Sequence, residues 1–224
     1  EINRVCSDHE QGAYELTRYL IDHGRQRILP VWSTAPGQHY WVDARMRGYR
    51  RALDQAGMQS LNPLYTGSID HQRAADGESP RHFEARKRRL AGALVEHVTG
   101  DPPVDALMMT TDHEASAAIA ALRLFGRNPH RDVTVVGYDA YWQESADFLT
   151  HEPTPPAAPV DKHNEQMGRR MAELLHDRIE HSNGEVTHYH SAITPVIVGP
   201  GQPNAIPLRP EFIVPQDGDN KQDC

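Results

Sequence analysis

The sequence predicts an α/β fold on a mainly parallel sheet with helices on both of its faces. Three observations carry this expectation. Val104-Asp105-Ala106-Leu107-Met108-Met109 and Asp132-Val133-Thr134-Val135-Val136-Gly137-Tyr138 are apolar runs without polar alternation, as in strands covered on both sides. His113 to Phe125 lies between them as a helical segment, so strand, helix and strand follow in the order of a right-handed parallel crossover. Upstream, helical periodicity alternates with strand-like runs in the same way.

The elements follow in order. Ser7-Asp8-His9-Glu10 sets a Ser three residues before a Glu, the pattern of a capping box, and opens a helix. Ala13, Leu16, Thr17, Leu20 and Ile21 continue at helical spacing, and Gly24 supplies the stop. Arg27 to Trp32 reads as a short strand, in which Pro30 argues against a fully paired central position. A second amphipathic helix carries Val42, Met46, Tyr49, Leu53 and Ala56 and stops at Gly57. Pro63 to Thr66 is a short strand candidate, and Gly67 to Pro80 a polar loop. Arg81 to about Val98 is a basic helix on a stripe of Phe83, Leu90, Leu94 and Val98. Its run Arg86-Lys87-Arg88-Arg89 is expected on a solvated face, with an anionic-ligand patch as the alternative.

Asp112 is placed to cap the helix that starts at His113, and Gly126 ends that helix. Pro153, Pro155, Pro156 and Pro159 suggest a connection between lobes. A helix from about His163 to Glu180 carries Met167, Met171, Leu174 and Leu175. Two β-like runs, His190 to Val198 and Ile206 to Val214, flank a Gly/Pro loop before a polar tail over 216–224.

At 224 residues the chain is long enough for one large domain or two lobes with real cores. Its mean hydropathy of −0.67 and the lack of any apolar run near ~18 residues argue against a membrane helix. The net charge of −8, from 23 Lys and Arg against 31 Asp and Glu, suits phosphate backbones poorly, so this chain alone is not expected to bind DNA. Cys6 and Cys224 lie near opposite ends without a CxxC pair and are expected to be free thiols. No GxSxG, GxxxxGK[ST], HExxH or GxGxxG is present, which leaves an enzyme poorly supported. His188-Tyr189-His190 could set two imidazoles on one strand face, but no ligand cluster at metal spacing accompanies them; neither a metal nor a cofactor is expected.

Ligands of open parallel sheets bind beyond the carboxyl ends of the strands. That rule selects Ser33 and Thr34, then Thr110, Thr111 and Asp112, then Asp139. A carboxylate at a strand tip, as expected of Asp139, can accept hydrogen bonds from neighbouring hydroxyls of a polyol or sugar; a turn or cap Asp is the alternative. Arg45, near the start of the second helix, offers a fork of donors for sugar oxygens or a carboxylate, against the alternative of an exposed surface Arg.

The order of these pieces resembles the regulatory domain of the LacI/GalR family. Asp8 to Ala13 with Tyr19 to Ile28 is similar to the family's D-x-x-x-G-A … L-I-x-x-G-H-x-R-I. Arg45 to Leu53 resembles R-x-x-G-Y-x-x-A-L, and Asp105 to Asp112 with Ala115 to Leu122 resembles D-A-[IL]-x-x-x-N-D … A-x-G-A-x-x-A-L. Val133 to Asp139 resembles V-x-V-V-G-[FY]-D; Val160-Asp161-Lys162, Met167-Gly168 and Ala172 to Leu175 resemble V-x-Q-x-x-x-x-M-G-x-x-A-x-x-L-L. The resemblance covers about Val5 to Ile179.

It implies a periplasmic-binding-protein-like fold of two lobes, with the N-terminal lobe incomplete here. It further implies an effector-binding domain over 1–215, with the C-terminal lobe mainly about 15–150 and crossing and return segments about 151–215. Arg45 and Asp139 fall on effector-contacting positions, and Thr111 and Lys162 are expected beside them in one cleft. A small-molecule effector, a homodimer, a cytoplasmic location and operator DNA reached only through a headpiece absent from this chain complete the expectation. Thr111 stands where Asn is common, Ala140 where an acidic or amide residue is common, Lys162 where Gln is frequent, and Asn164 where a stacking aromatic can occur. Lys162 hints at an anionic or amide-bearing effector. A sensor of a transcriptional regulator is the first reading; a sugar-binding protein of a transporter and an enzyme on an α/β scaffold are the alternatives.

Overall fold

A computed structural model describes residues 4–35, 37–67, 80–144, 146–180 and 190–198. In chain order the elements are β1 (Arg4–Ser7), α1 (His9–Asp22), β2 (Ile28–Trp32), α2 (Tyr40–Gln55), β3 (Leu64–Tyr65), α3 (Pro80–Thr99), β4 (Ala106–Met109) and α4 (Asp112–Leu124). Then come β5 (Thr134–Tyr138), a 3-10 turn (Trp142–Glu144), α5 (Ala146–Thr150), β6 (Pro159–Asp161), α6 (Asn164–Glu180), β7 (His190–Ile193) and β8 (Val196–Ile197). The run Ile206 to Val214 and the pair His188-Tyr189 lie outside the described residues.

Six strands form one sheet in the order β3-β2-β4-β5-β6-β8, parallel except for the last pair. Successive strand residues feed opposite faces, as the period of two requires. Leu29, Val31, Leu107, Met109 and Val135 pack with α3 and α4 through Leu90, Leu94, Ile119 and Leu122. Ile28, Trp32, Met108, Val136 and Tyr138 pack with α1 and α2 through Leu16, Leu20, Val42 and Leu53. Pro30 is tolerated because β3 pairs only with Val31 and Trp32, so on that side no ladder bond is asked of it.

Several positions of the resembled motifs have local structural reasons. The Asp105 carboxylate accepts from the N–H groups of Gln26 and Arg27, both at 2.8 Å, and fixes the entry to β2. Gly48 lets α2 lie against α1: a Cβ there would come 2.0 Å from the Glu10 carbonyl oxygen. The buried Tyr49 hydroxyl donates to Ile28 O and accepts from Leu61 N, both at 2.9 Å.

A smaller unit stands beside the large lobe. β1 pairs in parallel with β7, and α6 packs on β1. Of its predicted stripe only Leu174 is buried, whereas Met171 and Leu175 are more than half exposed, as is Ile179 further along the helix. The chain passes between the two units at Asp8, at 162–163 and at 194–195. No helix among the described residues is long and apolar enough to cross a membrane.

Some expectations are corrected. Asp8, not Ser7, caps α1, accepting from Gln11 N at 2.8 Å. Thr111, not Asp112, caps α4. The proline-rich stretch stays inside the large lobe, because Ala157 N donates to Val135 O and Pro159 opens β6 beside β5. The basic run on α3 is not uniformly solvated: Arg86 is buried and ion-paired with Asp147 of α5. Arg89 donates to the carbonyls of Thr66 and Gly67. Cys6 is disulfide-bonded rather than free.

Candidate functional site

A cleft of about 560 Å³ opens between the two units. β1 and α6 form one wall, with Val5, Ser7, Asn164, Met167 and Met171. The other wall is the carboxyl edge of the sheet, with Thr110 and Thr111 after β4 and Asp139 after β5, joined by Tyr40, Trp41 and Arg45 of α2. Lys162 lines the cleft where the chain passes from β6 to α6. The four residues selected from sequence, Arg45, Thr111, Asp139 and Lys162, therefore share one cavity although they come from four separate segments.

Arg45 is buried, with 3% of its surface exposed. Its Nη1 donates to Thr110 O at 2.8 Å, and its guanidinium carbon lies 3.5 Å from the Tyr138 ring centre and 4.7 Å from that of Trp41. Its Nε is buried without a partner, and no carboxylate among the described residues forms an ion pair with it. Burial lowers its pKa, opposed by Tyr138 and Asp139. Ring faces partly replace lost water around a desolvated cation, by about 2 kcal/mol, but they bring no full negative charge.

Asp139 sits at a positive φ of 97°, and Ala140 follows at 55°. Such backbone is uncommon outside glycine and is kept where surrounding contacts hold it. Asp139 N donates to Val160 O at 2.8 Å, and its carboxylate is ion-paired with Lys162. Beneath the turn, buried Asp112 accepts from Tyr141 N at 3.0 Å. Burial, and then the Asp139 charge, push the Asp112 carboxyl well above its usual range, against the opposing N–H donors of Trp142, Tyr141 and Ala140. A Cβ at Gly137 would meet Asp112 Oδ1 at 2.6 Å, so the glycine makes room for this support. Asp112 thus positions the turn that carries Asp139. Thr111 spends part of its hydroxyl on capping α4, accepting from Glu114 N at 3.3 Å.

His9 was not singled out from sequence, where it served only as part of a cap. Its ring lines the cleft, lies edge-on to Tyr40 with centres 5.7 Å apart, and leaves Nδ1 buried without a partner. Burial, then the charges of Arg45 and Lys162, lower its pKa to about 3, so at neutral pH the imidazole is uncharged. The available signal was its place as the first residue after the passage from β1. No group of three or more metal-ligating side chains occurs among the described residues. An apolar and aromatic wall with a few convergent donors and acceptors suits a small polar ligand.

Comparison with known proteins is consistent over most of the chain. A family profile described as a periplasmic binding protein-like domain matches residues 17–199. The HTH-type transcriptional regulator CelR of Thermobifida fusca is 31% identical over 188 residues, 84% of this chain and 47% of CelR. The HTH-type transcriptional repressor PurR of Aliivibrio fischeri (strain MJ11) is 25% identical over 183 residues, 82% of this chain and 48% of that protein. The chain thus spans about half the length of the curated relatives it matches. Among solved structures, a CelR–cellobiose complex superposes with a TM-score of 0.65 at 27% identity, covering 88% of this chain and 53% of that one. A LacI family regulator from Enterococcus faecium with bound ribose gives 0.64 at 20% identity, covering 88% and 63%, and supports the fold alone.

Proposed function

From a chain that belongs to the periplasmic binding protein-like domain family, of the kind carried by LacI-type regulators, we propose that this protein is the effector-sensing part of a bacterial transcriptional regulator. The effector is a sugar or related polar metabolite bound in the cleft between the two units. Residues 1–215 make up the effector-binding domain, and DNA is read by a headpiece outside this chain. The protein acts as a homodimer in the cytoplasm, and no catalytic step is assigned to it.

The observation that carries this reading is the convergence of Arg45, Asp139, Thr111 and Lys162, from α2, two strand tips and a connection between units, on one cavity. Asp139 accepts from hydroxyls and Arg45 donates to oxygens, so together they match the mixed polarity of a polyol. CelR has been seen with cellobiose, and the regulator from Enterococcus faecium with ribose. A ligand touching both walls stabilises the arrangement in which they are close, by no more than its difference in affinity between arrangements. Three chain passages between the units give that change a route to an attached headpiece.

The test is a thermal-shift and calorimetric screen of the full-length protein with cellobiose, ribose and related sugars and sugar acids, repeated on Asp139→Ala. Binding that weakens in the variant, and that changes operator affinity, is expected. A ligand that binds equally well to Asp139→Ala would place the site elsewhere. Turnover of any panel member would return the protein to the enzymes.

A further inference from the structure

Building on the reading of the cleft as the effector site, we propose that the effector is a monoanionic sugar acid, a polyhydroxy carboxylate, rather than a neutral sugar. Among the described residues, the charged side chains lining the cleft are Arg45, Lys162 and Asp139. Lys162 and Asp139 are already paired with one another. Their charges cancel, and what is left over is Arg45.

Arg45 is one of the most deeply buried charged groups among the described residues, yet the partners of its guanidinium are a carbonyl oxygen and aromatic faces. The second deeply buried arginine, Arg86, has the Asp147 carboxylate as its counter-charge. A desolvated cation without a counter-charge is costly, and one truncated from its partner costs more than the pair itself returns. A carboxylate entering the cleft supplies what Arg45 lacks, and the planar guanidinium matches it in shape. His9 stands in the same field: burial first, and then the positive charges of Arg45 and Lys162, keep its ring uncharged. Its Nδ1 is buried without a partner beside the same cleft.

The leftover charge is one, which favours a carboxylate over a phosphate ester carrying about −1.5 to −2. The remaining lone pairs of Asp139, with Thr111 and Asn164, are left for hydroxyl groups. Lys162 is the specificity-determining residue in this account, since without it the three lining charges reduce to one Arg and one Asp, balanced for a neutral sugar.

The experiment compares glucose, gluconate and glucose 6-phosphate, then cellobiose and cellobionate, by calorimetry on the full-length protein at low and high salt. The same series is run on Lys162→Gln, whose folding is checked by its thermal midpoint. At least one sugar acid should bind about tenfold or more tightly than its neutral parent, with a preference that shrinks at high salt and shrinks about tenfold in Lys162→Gln. Equal or tighter binding of the neutral sugar, lost in Asp139→Asn, overturns the inference and leaves the site in place. Preference for the phosphate ester overturns the assignment to a carboxylate. Binding of any probe that is indifferent to both Asp139→Asn and Lys162→Gln, or no binding by any probe, removes the site reading and the inference with it.

Discussion

Arg45 and Arg86 are each only 3% exposed, but the molecule uses them differently. Arg86, on α3, is held by Asp147 of α5 and contacts His113 of α4, whose Nδ1 lies 3.2 Å from the same carboxylate. Its charge is consumed in joining three helices behind the sheet. Arg45, on α2, leans on Tyr138 and Trp41 at the open edge of the sheet and forms no ion pair with a carboxylate among the described residues, although the Asp139 charge acts on it. One buried cation is therefore ion-paired within the fold, and the other has no ion-pair partner among the described residues. A charge kept without a counter-charge inside a cavity is a stronger pointer to a ligand than exposure or sequence position.

The comparison can be broken most easily at its structural end. Asp147→Ala takes the buried carboxylate away from Arg86 and should destabilise the protein by about 3–5 kcal/mol, read by urea or thermal unfolding. A loss under ~1 kcal/mol would mean that Arg86 is not anchored as described. A second effect concerns pH at the cleft. The folded pKa of His9, about 3, lies below its unfolded value of 6.5. Its contribution is therefore complete above pH 6.5 and is lost as pH falls from 6.5 toward 3, at less than ~1.4 kcal/mol per unit because the ring is not fully buried. His9→Asn should flatten the acid side of the stability profile by that amount; an unchanged profile would refute the burial argument.

At the ligand end, Asp139→Ala should weaken effector binding by about 1.5–3 kcal/mol while far-UV circular dichroism stays that of the parent. The smallest effect is expected where charges are both exposed. Glu165 and Arg169 on α6 pair at 2.9 Å with side chains 89% and 71% exposed. Glu165→Gln should change stability by under ~0.5 kcal/mol, so a larger loss would contradict the contrast between surface and buried pairs.

The sequence made some of this visible for definite reasons. Unbroken apolar runs sufficed for β4 and β5, because a parallel strand covered on both faces leaves no other reading. Strand-tip logic led to Asp139, and helix position to Arg45, since both depend on local order along the chain. Arg86 was misread because a basic run on an amphipathic helix looks solvated until its partner is known. That partner lies 61 residues away in a short helix with little periodicity. The role of Asp112 was hidden likewise, because the N–H it holds belongs to Tyr141, 29 residues on. His9 fits a helix start so well that its orientation toward the cleft left no separate signal. The proline-rich segment suggested a lobe boundary by composition alone, whereas hydrogen bonding to β5 keeps it in the large lobe.

The most direct test of the central claim, that Arg45 is reserved for the effector, is calorimetric titration of Arg45→Met with the sugar or sugar acid the parent binds most tightly. Binding should weaken by about tenfold or more, about 1.4 kcal/mol, with the thermal midpoint near the parent's, because no ion pair among the described residues is broken by the change. Parental affinity in Arg45→Met, or a collapse of the fold on the scale expected for Asp147→Ala, would contradict the account.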